Sequence, residues 1–379
     1  MSLFSSRGRR AVRALIPILL FTLTLLLIVL GTAGCSRESA ATDPGPDSGT
    51  ADAQTAEQGA EEKNREFDIA VFIPGVLAGS PLYQMLADGV NKAAAEYPYS
   101  TVKVIEGGFN QAEWQDKVTE LSAAEKYELI ISSNPALPEI CDRVSSSFPG
   151  QKFLLFDGYL QGNKSIYTFR YNQFEQAFLA GHMAGLLTTS EMEGANSALK
   201  IGLIAGQEYP DMNQAIKPGF LEGARMVNKD ISLDFRVVGN WYDATKAAEL
   251  AQSMIQSGVD VILPIAGGAN QGVLKAAEEQ GIYVHWFDTN GYGNLPGRVI
   301  GSTALMQEKA AYEITAKAIE GSLAFGEAAV VGVAEGWVTF IDTDPEYIKT
   351  VPEKLRIRQA EMLEKMRNGE IQFMTAQES

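Results

Sequence analysis

The sequence predicts an α/β protein of two doubly wound, parallel-sheet lobes, preceded by an export signal and a disordered tether. Three observations carry that prediction. Short apolar runs alternate steadily with helical patterns, which calls for parallel strands joined by right-handed crossovers. The alternation occurs twice, on either side of residues 170–200, so two similar lobes are the simplest arrangement. The 379 residues, 46% hydrophobic and 21% charged, suffice for two ordinary globular cores.

Residues 1–34 hold Arg7, Arg9, Arg10 and Arg13, an apolar run over 14–30, and the small residues Gly31, Thr32, Ala33 and Gly34 ahead of Cys35. A charged start, an apolar run near the lower limit for spanning a membrane, and small residues favour a cleaved signal over a transmembrane helix. Residues 36–65 contain two prolines and no aromatic or large aliphatic residue. Such a stretch cannot bury enough apolar surface to order itself, so residues 35–66 read as a flexible linker.

The first lobe is expected over residues 67–170. Strands are read at 67–72, 101–106, 129–132, 152–157 and 165–170, with helices over 82–97, 111–126 and 138–148. An amphipathic helix over 172–187 leads to the second lobe, expected over 171–302. There the strands are 200–205, 233–238, 259–265 and 283–287, and the helices are 213–228, 244–257 and 271–280. Val299–Gly301 leads into a helix over 306–321, residues 329–340 read as a strand or hairpin, and 344–368 as a charged helical tail. Return segments from about 303–330 are assigned to the first lobe, and part of the tail 331–379 to the second.

Residues 259–290 concentrate the signals for a site. A buried, β-branched strand is followed by Gly267, Gly268, Asn270 and Gly272, then a helix, then a strand that delivers Asp288 at its carboxyl end. In open α/β sheets ligands sit outside the carboxyl ends of strands. Asp288 is therefore a candidate acceptor for vicinal hydroxyls, or else it caps the turn that follows it. Gly267, Gly268 and Asn270 would bring backbone to the ligand. Ser133 and Asn134 rank as candidates by their place at a strand end. Trp241 and Tyr242 would stack on a planar or sugar face, with packing between lobes as the alternative. Phe109 and Trp114 are assigned to the first lobe's core, with the lining of the crevice as the alternative, and His182 and His285 to structural packing.

Composition excludes several classes. Thirty-one basic against 47 acidic residues give a formal charge of −16, which disfavours nucleic acid as a partner. Two histidines and two cysteines are poor material for a metal centre or a structural disulfide. The glycines at 267–272 lack the Lys-Ser/Thr of a P-loop, and no G-x-S-x-G or HExxH occurs. No cofactor is implied. A nucleoside or glycoside hydrolase needs paired acids, of which the sequence offers only Asp288.

The small residues before Cys35 resemble the lipobox of bacterial lipoproteins, with Thr32 where that family most often has Leu; the resemblance implies lipidation of Cys35. Residues 173–188, the Gly219-Phe220-Leu221-Glu222-Gly223-Ala224 run, Trp241–Asp243 and Phe287-Asp288 together resemble the basic-membrane-protein lipoprotein family. Its better-known members are purine nucleoside receptors of bacterial ABC transporters. The resemblance implies a periplasmic binding protein type I-like fold, a small-molecule ligand held between hinged lobes, an ABC permease as partner, no enzymatic activity, and membrane attachment through the N-terminal lipid on the periplasmic or extracellular face. Two departures bear on the ligand. The loop over 75–84 keeps Gly75, Ser80 and Gln84 but lacks the family's acidic and amide groups, and Ser302 is followed by Thr303-Ala304-Leu305-Met306 where the family has a lysine. A nucleoside-like or sugar-like ligand is expected; the alternative is a surface sensor or adhesion lipoprotein built on the same fold.

Overall fold

The computed structural model describes residues 66–78, 80–371 and 373; the signal segment, Cys35 and the tether lie outside them. In the first half of the chain β1 (Phe67–Ile73), α1 (Pro81–Ala94), β2 (Ser100–Glu106), α2 (Trp114–Ala123), β3 (Leu129–Ser133), α3 (Leu137–Ser147), β4 (Lys152–Phe156) and β5 (Ile166–Tyr171) alternate. Next come α4 (Gln173–Thr188), β6 (Lys200–Ala205), α5 (Lys217–Val227), β7 (Ser232–Val237), α6 (Ala244–Gln256), β8 (Val259–Ile265), α7 (Asn270–Gln280), β9 (Tyr283–Trp286) and β10 (Val299–Leu305). The chain closes with α8 (Gln307–Ile319), β11 (Ala328–Val331), β12 (Val338–Phe340), α9 (Pro345–Thr350) and α10 (Glu353–Arg367).

Two six-stranded sheets result, ordered β2-β1-β3-β4-β5-β11 and β7-β6-β8-β9-β10-β12. The first is wholly parallel and the second is parallel except for β12, which runs antiparallel to β10. The inner strands are apolar enough to be covered on both faces, and all seven residues of β8 are buried, whereas β2, β7 and β11 bury none of theirs fully. The lobes share one topology and exchange a helix. In the first, α1 packs on α8, which arrives from β10; in the second, α5 packs on α4, which arrives from β5. One buried apolar cluster accordingly runs from Ile69 and Leu86 through Phe178 and Leu186 of α4 to Leu263 and Leu363.

Glycines set those helix contacts. A Cβ on Gly181 would strike the Phe220 carbonyl, one on Gly223 the Phe178 carbonyl, and one on Gly185 would lie 2.7 Å from the Ala224 carbonyl oxygen. The backbones of α4 and α5 thus touch, which only residues without a side chain permit.

Several expectations are corrected. The helix over 173–188 is enclosed rather than amphipathic, with 14 of its 16 residues buried, because α5, α10 and the second sheet surround it. The region 329–340 is no hairpin: β11 lies beside β5 in one sheet and β12 beside β10 in the other, since the chain crosses between lobes from Gly332 to Trp337. The strand from Val299 extends to Leu305; Ser302 and Thr303 are wholly buried in it despite their polarity. The tail forms two helices, broken at Val351 and Pro352, because proline has no N–H to continue the first. Phe109 is 66% exposed, whereas Trp114 is buried with its indole N–H donating to the Gly108 carbonyl at 2.8 Å.

Candidate functional site

The carboxyl ends of the two sheets face each other, and each sheet delivers a carboxylate there. Asp157 follows β4 and Asp288 follows β9, the topologically equivalent strands of their lobes. Both come directly after a phenylalanine and both sit in the left-handed region, at φ +57° and +70°. Aspartate tolerates this conformation better than most non-glycine residues. The reversal ends the strand and leaves the carboxyl at the carboxyl end of the sheet. The first turn of α4 then supplies one amide to each: Gln173 donates Nε2 to Asp157 at 2.9 Å, and Gln176 donates Nε2 to Asp288 at 3.1 Å and lies 3.4 Å from the Thr303 carbonyl. Three residues apart, the two glutamines share one helical face.

Burial dominates the electrostatics. It pushes the Asp288 carboxyl up to about 6, against the Gln176 hydrogen bond that lowers it. Asp157 is raised well above the ordinary carboxylate range by burial first, then by the charges of Asp288 and Asp211, with Gln173 and Arg170 acting the other way. Tyr209 is held strongly protonated by burial and by the same three carboxylates. Tyr83 is pushed up to about 12 by burial, with Asp157 adding to the effect. Asp157 and Asp288 thus meet at the first turn of α4, where the strand ends of the two lobes face each other, and Asp211, Tyr83 and Tyr209 lie close enough to share in their electrostatics.

The residues expected from the sequence fall into distinct environments. Asp288 lies at the centre. Asn134 reaches Tyr83 with Nδ2 at 3.5 Å while its Oδ1 accepts the Ala136 N–H at 2.9 Å. Trp241 packs over Gly206, lies 6.2 Å from the Tyr209 ring and is 37% exposed. Gly267 and Gly268 face the Trp241 backbone, and a Cβ at Gly267 would lie 3.0 Å from the Trp241 carbonyl oxygen. Tyr242 is 75% exposed. Two others are engaged by protein groups: the Asn270 Oδ1 accepts the Ala266 N–H at 2.8 Å, and the buried Ser133 hydroxyl accepts from the distant Gln307 Nε2 at 3.1 Å. Gln307 in turn accepts the Tyr171 hydroxyl at 2.7 Å. His182 is a packed residue, its Nδ1 2.7 Å from Gln359 Oε1, and His285 is buried within β9.

Sequence reasoning missed Asp157, Gln173, Gln176, Tyr83 and Tyr209. The signal for Asp157 was present: Phe156-Asp157 repeats Phe287-Asp288 at the same point of the alternation. Among the described residues no group of three or more His, Cys, Asp or Glu is placed to hold a metal ion, and no helix is long and apolar enough to cross a membrane.

Residues 67–372 match the family model described as "ABC transporter substrate-binding protein PnrA-like". Over 165 residues the chain is 28% identical to the ABC transporter nucleoside-binding protein BmpA of Lactococcus lactis subsp. cremoris, a match covering 43% of this chain and 44% of that protein. It thus spans less than half of that relative's length. Over 310 residues it is 24% identical to Basic membrane protein B of Borreliella burgdorferi, covering 78% of this chain and 87% of that one. The fold is shared with a solved solute-binding protein of an ABC transporter system from Aeropyrum pernix K1, at a TM-score of 0.69 and 21% identity over 82% of this chain and 94% of that one. The two lobes are periplasmic binding protein type I-like, and with most of its length matched the chain belongs to the Bmp family of PnrA-like ABC transporter substrate-binding proteins.

Proposed function

We propose that this chain is the extracytoplasmic binding component of an ABC importer, lipid-anchored through Cys35 to the cell membrane, which closes two lobes over a small polar ligand of nucleoside-like or sugar-like class and presents it to a membrane permease. One observation carries the reading. Asp157 and Asp288 come from equivalent strand ends of opposite lobes and are both held by α4, so a ligand bridging them contacts both lobes at once. Such a ligand favours the closed arrangement by its differential affinity. Asp288, Trp241, Gly267, Gly268 and Asn134 are proposed to line the site, with Tyr242, Asn270 and Ser133 next to them in the chain. The nucleoside-binding relative in Lactococcus supports the ligand class, and the small residues before Cys35 support the anchor.

The test is a thermal-shift screen of the full-length chain in mild detergent against nucleosides, nucleobases, pentoses, hexoses and amino acids, repeated with Asp288→Ala. Ligand at ~100-fold over Kd stabilises the folded state by roughly 2.7 kcal/mol. A shift with a nucleoside or sugar that disappears in Asp288→Ala is the expected result. A flat screen with well-folded protein refutes the transport reading and favours a sensor or adhesion role.

A further inference from the structure

The hydrogen-bonding inventory of the crevice is one-sided. Asp157, Asp211 and Asp288 contribute carboxylates. Gln173 and Gln176 spend their amide N–H groups on two of them, and the Oε1 atom of each glutamine is left buried without a partner. Gln173 is 8% exposed and Gln176 not at all, so water has little access to either residue. Of the donors nearby, the Tyr171 hydroxyl is used on Gln307 and the Gln307 amide on Ser133, while the Thr303 hydroxyl is buried without a partner. The two glutamine oxygens are free acceptors, and an unpaired buried polar group costs about 1–3 kcal/mol. A bound ligand must therefore bring donors.

Charge narrows the class. Against three carboxylates the crevice sets one guanidinium, Arg170, which lies over the Tyr159 ring at 4.9 Å. Lys217 and Lys309 are engaged elsewhere, over Phe235 and Trp337, and Thr303, Ala304, Leu305 and Met306 follow Ser302 with no cation among them. A neutral polyol would fill the acceptors but bring no charge to offset the influence of Asp288 and Asp211 that helps keep Asp157 protonated. An anionic ligand such as a nucleotide would add to that influence. A cation is attracted to both lobes, and the Tyr209 and Trp241 rings, 6.2 Å apart and inclined at 44°, present π faces of the kind that hold ammonium groups.

We infer that the ligand carries a cationic nitrogen set between Asp157 of one lobe and Asp288 of the other, which makes it a small hydroxylated amine such as an amino sugar or aminonucleoside. The inference rests on the binding reading above and specifies its ligand. It is tested with matched amine and hydroxyl pairs: D-glucosamine against D-glucose, D-galactosamine against D-galactose, and 3′-amino-3′-deoxyadenosine against adenosine. Calorimetric titration of the full-length chain at neutral pH is expected to give at least one amine bound about tenfold or more tighter than its hydroxyl partner. That preference should vanish in Asp157→Asn and persist in Asp157→Glu, with both variants unfolding cooperatively. Equal or tighter binding of the neutral members, or a preference untouched by Asp157→Asn, overturns the cation and leaves the binding reading standing. No binding by either member of any pair to folded protein overturns both.

Discussion

Asp288 shows how a binding group weakens the unliganded fold. Its carboxyl rises from an ordinary 3.8 to about 6, chiefly because burial disfavours the charge. Between those values the folded chain keeps a proton that the unfolded chain has released, so stability falls as pH rises through that window. Above it the ionised group costs about 2–3 kcal/mol, at 1.36 kcal/mol per pKa unit. Asp288→Asn keeps the shape and removes the charge. It should raise unfolding free energy at neutral pH by about 1–3 kcal/mol, and the gain should shrink toward zero near pH ~4; denaturant titrations across pH measure it. A variant no more stable than the parent at neutral pH would show that the crevice solvates this carboxylate well. Asp288 was legible in the sequence because it ends an apolar strand. Asp157 ends one in the same way, but the turn after the preceding strand, residues 134–136, has none of the glycines found at 267–272, and the partnership with Gln173 and Gln176 depends on a helix that passes between the lobes.

At the scale of elements, α4 does three jobs. Its first turn holds both carboxylates, its glycines admit α5, and His182 in its middle meets Gln359 of α10, whose Nε2 also donates to the Leu179 carbonyl at 3.1 Å. Burial lowers the His182 ring to about 4, so it is neutral at physiological pH and acts as a packing pin. Gly181→Ala would place a methyl against the Phe220 carbonyl, where the atom in the way is backbone and cannot swing aside. The expected cost is about 1–3 kcal/mol, read as a lower thermal midpoint together with weaker ligand binding, because a displaced α4 carries Gln173 and Gln176 with it. An unchanged midpoint would mean that the α4 and α5 contact relaxes freely. Strands and helices that alternate in sequence were readable from periodicity alone. The elements that were not readable are those whose surroundings come from a distant part of the chain: α4, enclosed by late-arriving α10, and β11 and β12, which look like one hairpin until two sheets claim them.

For the whole molecule, the chain crosses between lobes three times: after β5 at Asn172, after β10 at Met306, and between β11 and β12. The crossings are tied together. The Glu175 carboxylate accepts the Val333 N–H at 2.7 Å, Met306 donates its N–H to the Trp337 carbonyl at 3.0 Å, and the Trp337 ring meets Phe169 edge-on at 5.5 Å. Three short connections that lie together restrict relative motion of the lobes to bending about one line, the geometry of a hinge. Whether a ligand drives closure then depends on touching both sides of that line. A ligand that contacts one lobe alone binds open and closed forms equally and shifts nothing, whereas moving the balance from 1:99 to 99:1 takes about 5.5 kcal/mol of differential affinity. Asp157 and Asp288 divide that difference between the lobes. Small-angle scattering of the full-length chain should show a smaller radius of gyration at saturating ligand. In Asp157→Asn the same ligand should still bind through Asp288, more weakly, without the contraction. Full contraction in that variant would mean that closure is driven by contacts other than the carboxylate pair, with the aromatic faces of Tyr209 and Trp241 the next to be tested.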